Sequence, residues 1–180
     1  MEIKSIQQSG YTLRILTDES PESPAEWDNL GQFAYCSNHY ALGTERVSRD
    51  RLREIAAGIK DGSLIGLPVY AYVHSMATIS TRPFSCPWDS GQSGFVYCTK
   101  EQAQKEWGDD YEENALRVLR GEVETFDQYL RGDVYGYTIT DKDGDVVDSC
   151  WGFYGIECAE EEARSALNYW ATQQGELFAA

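Results

Sequence analysis

Asp133-Val-Tyr-Gly-Tyr-Thr-Ile-Thr-Asp-Lys-Asp-Gly-Asp-Val-Val-Asp-Ser-Cys-Trp-Gly-Phe153 is the stretch on which the fold turns. Asp133 to Thr140 and Val146 to Phe153 are rich in β-branched and aromatic side chains, which suit a pleated, half-buried surface. Between them stands Lys142-Asp143-Gly144. An Asp-Gly pair between two such runs signals a hairpin, because glycine accepts the positive φ of a tight turn. Downstream, Ala159 to Gln173 reads as a helix. It opens on Glu160, Glu161 and Glu162, where the positive end of a helix dipole favours acids.

Working outward, short strands are predicted over Tyr11 to Leu16, Gln32 to Cys36, Leu67 to Val73, Ala77 to Thr81 and Gly94 to Cys98. Ser48 through Lys60 predicts a helix capped by Ser48, with Leu52, Ile55, Ala56 and Ile59 on one face and Asp61-Gly62 as its stop. A short helix is expected at Lys100 to Trp107. A longer one runs from Asp110 to Tyr129, interrupted around Gly121, with Leu116, Leu119, Val123, Phe126 and Leu130 buried on one side. Proline and acid make Asp18 to Pro24 a loop; Glu26 to Gly31 is a turn, and Phe84 to Gly94 is turn-rich. About six strands joined by hairpins and helix excursions predict an α+β fold: a mostly antiparallel sheet with packed helices. With no repeat, low-complexity tract or dividing linker, residues 1–180 are expected to form one domain.

Composition narrows the function classes. The chain is 42% hydrophobic, 13% aromatic and 25% charged, which excludes a disordered tail and a membrane-embedded bundle. No apolar run reaches the roughly 18 residues of a membrane span, and Met1-Glu2-Ile3-Lys4 begins no secretory segment. Five cysteines (Cys36, Cys86, Cys98, Cys150, Cys158) without a C-x-x-C pair fit reduced thiols. A cytoplasmic setting is the expectation.

Charge is the outlier. Thirty Asp and Glu oppose fifteen Lys and Arg, for a formal net charge of −15. Nucleic-acid affinity comes largely from Lys and Arg, so direct binding to nucleic acid is not expected. Acidity by itself also serves solubility. The acids concentrate in Asp18 to Asp28, Glu101 to Asp127 and Asp141 to Glu162, while Arg46, Arg49, Arg51, Arg53 and Lys60 gather before residue 61. An acidic face for a basic protein partner would draw on Asp109, Asp110, Glu112, Glu113, Glu122, Glu124, Asp141, Asp143, Asp145, Glu160, Glu161 and Glu162.

Sites for chemistry are sparse. Asp141 to Asp148 has the acids of a calcium loop, yet Gly144 falls at its fourth position and Gly152 at its twelfth, so a hairpin turn explains it better. Cys36-x-x-His39 with His74 and Cys86 lacks a second half at zinc-ligand spacing. Cys86 with His74 is the least implausible nucleophile and base. The glycines of Asp89 to Gly94 lack the lysine of a phosphate loop and read as a turn. Ser149-Cys-Trp-Gly-Phe-Tyr-Gly155 suits a base-stacking platform or, more simply, a core strand meeting a tight turn. No catalytic residue, metal or cofactor is expected.

Three blocks look familiar. Glu22-Ser-Pro-Ala-Glu-Trp-Asp-Asn-Leu-Gly31 followed by Tyr40-Ala-Leu-Gly43 resembles a pattern near the N-terminus of a large set of phage, plasmid and other mobile-element proteins. Pro83-Phe-Ser-Cys-Pro-Trp-Asp-Ser-Gly-Gln92 is similar to a central block of that set. Tyr129-Leu-Arg-Gly-Asp-Val-Tyr-Gly-Tyr137 with Asp148-Ser-Cys-Trp-Gly-Phe-Tyr-Gly155 is similar to its C-terminal blocks. The resemblance implies a mobile-element setting and assigns no catalytic residue. By analogy of charge and setting, the profile resembles anti-defence proteins that mimic DNA, such as antirestriction and anti-CRISPR inhibitors. The partner would be a host nucleic-acid-binding protein. The alternatives are a small enzyme using the Cys/His pair, or an accessory protein of phage or plasmid maintenance that recognises its partner through exposed aromatics.

Overall fold

The Asp-Gly hairpin forms where the sequence places it. In the computed structural model, which describes residues 1–37, 41–74, 76–86 and 88–177 (174–177 by backbone only), strands Val134–Thr140 and Val146–Tyr154 pair antiparallel. Asp141 Oδ1 accepts the backbone N–H groups of Asp143 and Asp145 at 2.9 and 3.0 Å, and Gly144 takes φ 90°. This is a side chain closing its own turn.

The strands in chain order are β1 (Glu2–Gln8), β2 (Tyr11–Thr17), β3 (Gln32–Tyr35), β4 (Glu45–Arg46), β5 (Leu64–Val73), β6 (Ala77–Ser80), β7 (Ser90–Thr99), β8 (Val134–Thr140) and β9 (Val146–Tyr154). The helices are α1 (Arg49–Asp61), α2 (Lys100–Trp107), α3 (Tyr111–Leu130) and α4 (Ile156–Leu177). The fold is α+β, as the sequence predicts, with the strands divided between two mostly antiparallel sheets. Contacts group the chain into two compact units: residues 1–22 with 132–180, and residues 23–131. The first boundary falls within the proline- and acid-rich loop Asp18 to Pro24, whereas the second, at Arg131-Gly132, has no such composition.

The first unit is a sheet of order β1-β2-β8-β9 with α4 on one face. Leu13, Ile15 and Ile139 from the sheet meet Ala159, Ala163 and Leu167 from the helix, all at 2% exposure or less. Those helical positions recur every four residues, so one stripe faces the sheet, and its two alanines let the helix lie close. Each fully buried Leu or Ile contributes roughly 1.5–3 kcal/mol of apolar burial. Two expectations change here. β1 is a strand without a sequence signal, because Glu2-Ile-Lys-Ser-Ile-Gln-Gln8 alternates too weakly in polarity. α4 begins at Ile156, so Glu160 to Glu162 fall beyond the first turn, where dipole stabilisation fades.

The second unit is layered: α1, a sheet of order β4-β3-β7-β5-β6, then α2 and α3. Alternation along β7 sends Val96 and Cys98 towards α3 and Tyr97 towards α1, all at 4% exposure or less. Pro68 is tolerated inside β5 because β6 pairs only from Tyr70 onward, leaving one side of β5 without a ladder there. Ser48 caps α1, as expected, and Gly62 ends it with φ 80°. Thr99 and Gln102 form a reciprocal capping box at α2. α3 is continuous, without the expected break: Gly121 lies on its exposed side, where a missing side chain leaves the helical ladder intact. β7 begins at Ser90, inside the stretch expected to be a turn.

Candidate functional site

The first of the three blocks, from Glu22 to Gly31, is a structural clasp. Ser23 caps a 3₁₀ turn over Pro24–Glu26, and Asn29 Nδ2 donates to the Pro24 carbonyl at 2.6 Å. The next two backbone N–H groups, of Leu30 and Gly31, donate to Glu122 Oε1 and Oε2 at 2.8 and 3.0 Å. Gly31 has no room for a side chain. A Cβ there would sit 2.5 Å from Glu122 Oε2, 2.6 Å from Leu119 and 2.7 Å from Val96. Both oxygens of Glu122 therefore hold a loop about ninety residues away in sequence. Burial pushes its pKa up, and the two backbone N–H groups pull back against that shift. The same burial, together with the charge of Glu122, raises the Cys98 thiol.

Asp127, one turn further along α3, does a similar job at the sheet edge. Its Oδ1 accepts the Ile79 N–H at 2.8 Å and the Thr78 hydroxyl; its Oδ2 accepts from Arg131 Nε at 2.9 Å. β6 is the edge strand, and the carboxylate occupies a backbone donor that would otherwise offer a pairing site.

The expected acidic face resolves into distinct groups. Asp109, Asp110, Glu112 and Glu113 come together around the 3₁₀ turn Gly108–Asp110 and the first turn of α3. They line, with Leu116, an open depression of about 460 Å³. All four are exposed, and none joins an ion pair among the described residues. Glu124 is also exposed. Glu122 is not: expected on the face, it is half-buried inside the clasp.

In the other unit, Asp143 and Asp145 are exposed at the tip of the β8–β9 hairpin, while Asp141 closes the turn. Glu160 accepts from Lys4 Nζ at 2.6 Å, with Arg164 at 3.7 Å, and this pairing holds its carboxyl below the usual range. Glu161 and Glu162 are exposed. Position in the sequence could not separate Glu122 and Glu160 from their neighbours, because their partners, Leu30, Gly31 and Lys4, lie far away in the chain, whereas Asp141 is engaged within its own turn.

The remaining chemistry finds little support. Cys86 is half-buried and His74 exposed, and no hydrogen bond joins them among the described residues. His39 lies outside the described residues. Among those described, no group of three or more His, Cys, Asp or Glu could hold a metal ion. The aromatic C-terminal block is not a core strand: β9 is an edge, with Trp151 48% exposed over Gly136, where a Cβ would strike its ring at 2.2 Å. Trp88, in the central block, is 91% exposed.

These features define an acidic α+β chain in which one block, Glu22 to Gly31, is a structural clasp and four exposed carboxylates, unpaired among the described residues, cluster at the start of α3. Comparison with protein-family models, curated proteins and solved structures finds no match. No helix among the described residues is long and apolar enough to cross a membrane.

Proposed function

We propose that this chain is an acidic binding protein of a mobile element, an anti-defence inhibitor that occupies the nucleic-acid site of a basic host protein. The observation that carries the reading is the cluster Asp109, Asp110, Glu112 and Glu113: exposed carboxylates within five positions, with no cation paired to them among the described residues. A protein surface built for phosphates supplies Lys and Arg, and such a cluster offers them charge without a nucleic-acid backbone. Asp143, Asp145, Glu161 and Glu162 are a second set of exposed acids, on the other unit. Glu122, Asp141 and Glu160 play no part in recognition on this reading, because each is engaged within its own unit.

The test is capture of purified restriction and CRISPR effector complexes on the immobilised chain, with and without competing DNA, across a salt series. Binding should weaken steeply with salt and be displaced by DNA. A variant with Asp109→Lys, Asp110→Lys, Glu112→Lys and Glu113→Lys should lose binding while unfolding at a similar temperature. Capture that persists in high salt and in that variant would sink the reading. A second reading, recognition by exposed aromatics, is favoured by Trp88; there Trp88→Ala, and not the lysine variant, would abolish capture.

A further inference from the structure

The second unit holds a cleft in which arginines outnumber acids. About 590 Å³ in volume, it lies between β6 with the loop after it and the C-terminal half of α3. Arg82, Arg120 and Arg131 all line it, against Glu124 and Asp127. A local excess of cations is notable in a chain of formal charge −15. Arg82 and Arg120 are exposed and join no ion pair among the described residues. Arg131 is oriented through its Nε by Asp127, whose other oxygen is fixed by Ile79 and Thr78. The Asp127 charge is thereby engaged, and it serves to position a guanidinium at the cleft.

The other walls add to this. Thr81 and Gln128 offer hydrogen-bond donors, and Phe84 offers an aromatic face, its ring 6.0 Å from that of Tyr72. Guanidinium forks match the oxygens of a phosphate, and bidentate contacts give geometry as well as charge. A volume in the range of small-molecule sites, roughly 300–1,000 Å³, with convergent polar groups beside an aromatic wall suits an organic ligand better than a bare ion. We infer that this cleft binds a small phosphomonoester, with its phosphate on Arg82 and Arg120 and its organic part against Phe84. The site is separate from the acidic cluster and stands whether or not that cluster binds a protein.

The experiment is calorimetric titration of the full chain with phenyl phosphate, and with inorganic phosphate for comparison. Phenyl phosphate should bind saturably and more tightly than inorganic phosphate. Arg82→Ala and Arg120→Ala should each weaken it by roughly tenfold, the scale of one charge-assisted contact. Should the alanine variants unfold at lower temperature, the Arg82→Lys/Arg120→Lys variant decides: it keeps the charge, loses the fork and should still bind more weakly than the parent. Arg53→Ala, on α1, should bind as the parent does. The inference is overturned by an absence of saturable binding up to about 10 mM. Affinity unchanged in the Arg82 and Arg120 variants, or lost equally in Arg53→Ala, would overturn it as well.

Discussion

Near the start of α3, Asp109, Asp110, Glu112 and Glu113 are exposed and join no ion pair among the described residues. About two to four turns further along the same helix, Glu122 and Asp127 turn into the unit and hold backbone N–H groups of a distant loop and an edge strand. The residue types are the same and so is the helix. What differs is the face. The later acids lie beside the buried stripe Leu119, Val123 and Phe126, so they reach the sheet side, where unpaired backbone donors need an acceptor. Acid content therefore overstates acid surface, and any binding face must be drawn from carboxylates that the fold leaves unused.

The comparison is broken most forcefully at Glu122. Glu122→Ala leaves the Leu30 and Gly31 N–H groups without their acceptor, and should cost about 3 kcal/mol, read as a lower urea midpoint. A loss below about 0.5 kcal/mol would mean the clasp is dispensable. Gly31→Ala attacks the same clasp from the other side by overpacking, and should cost about 1–3 kcal/mol.

Next is Asp127→Ala, expected to cost about 2 kcal/mol by releasing the Ile79 N–H and the Thr78 hydroxyl. Amide exchange at Ile79 should accelerate in that variant more than exchange in α1.

At the other end of α3, converting Asp109, Asp110, Glu112 and Glu113 to their amides should cost about 1 kcal/mol or less, all of it from the helix dipole. A larger loss would show that these acids are structural after all.

The smallest effect is a tilt with pH. Because the folded-state pKa of Glu122 is raised, mainly by burial, its contribution is fully present below the unfolded value, about pH 4.3, and is lost as pH rises through the folded value. Asp61 and Glu160, lowered by hydrogen bonding to Ser63 and Lys4 respectively, act in the opposite sense: their contributions are present above the unfolded values and fade in acid. Stability measured upward from pH 4.3 should therefore fall more with pH in the parent than in Glu122→Gln. Equal slopes would refute the burial argument.

Much of the architecture is written locally. Ser48 before a helical stripe, Thr99 before Lys100 to Trp107, and Asp143-Gly144 between two β-rich runs each carry their own start or stop signal. The elements that carry no local signal share one cause. β1 is polar on both sides, and Ser90-Gly-Gln-Ser-Gly94 has the composition of a turn; both become strands because a neighbour supplies the ladder. Gly121 breaks nothing, since α3 is held by the residues around it that pack on the sheet. Of the candidate site, the cluster before and within the first turn of α3 is legible, because its acids lie within five positions of one another.

The sequence by itself determined the α+β class, most of the element positions, the net charge and the closeness in the chain of Asp109, Asp110, Glu112 and Glu113. These rest on residue periodicity, caps and composition, which act over a few residues. Only the tertiary structure decided that Glu122 and Asp127 are clasps, that Glu160 belongs to Lys4, that the strands divide into two sheets, and that Arg82, Arg120 and Arg131 share a cleft. Each of these depends on contacts between residues far apart in the chain. A carboxylate's role is set by which donors surround it once the backbone has closed, and no local pattern encodes that.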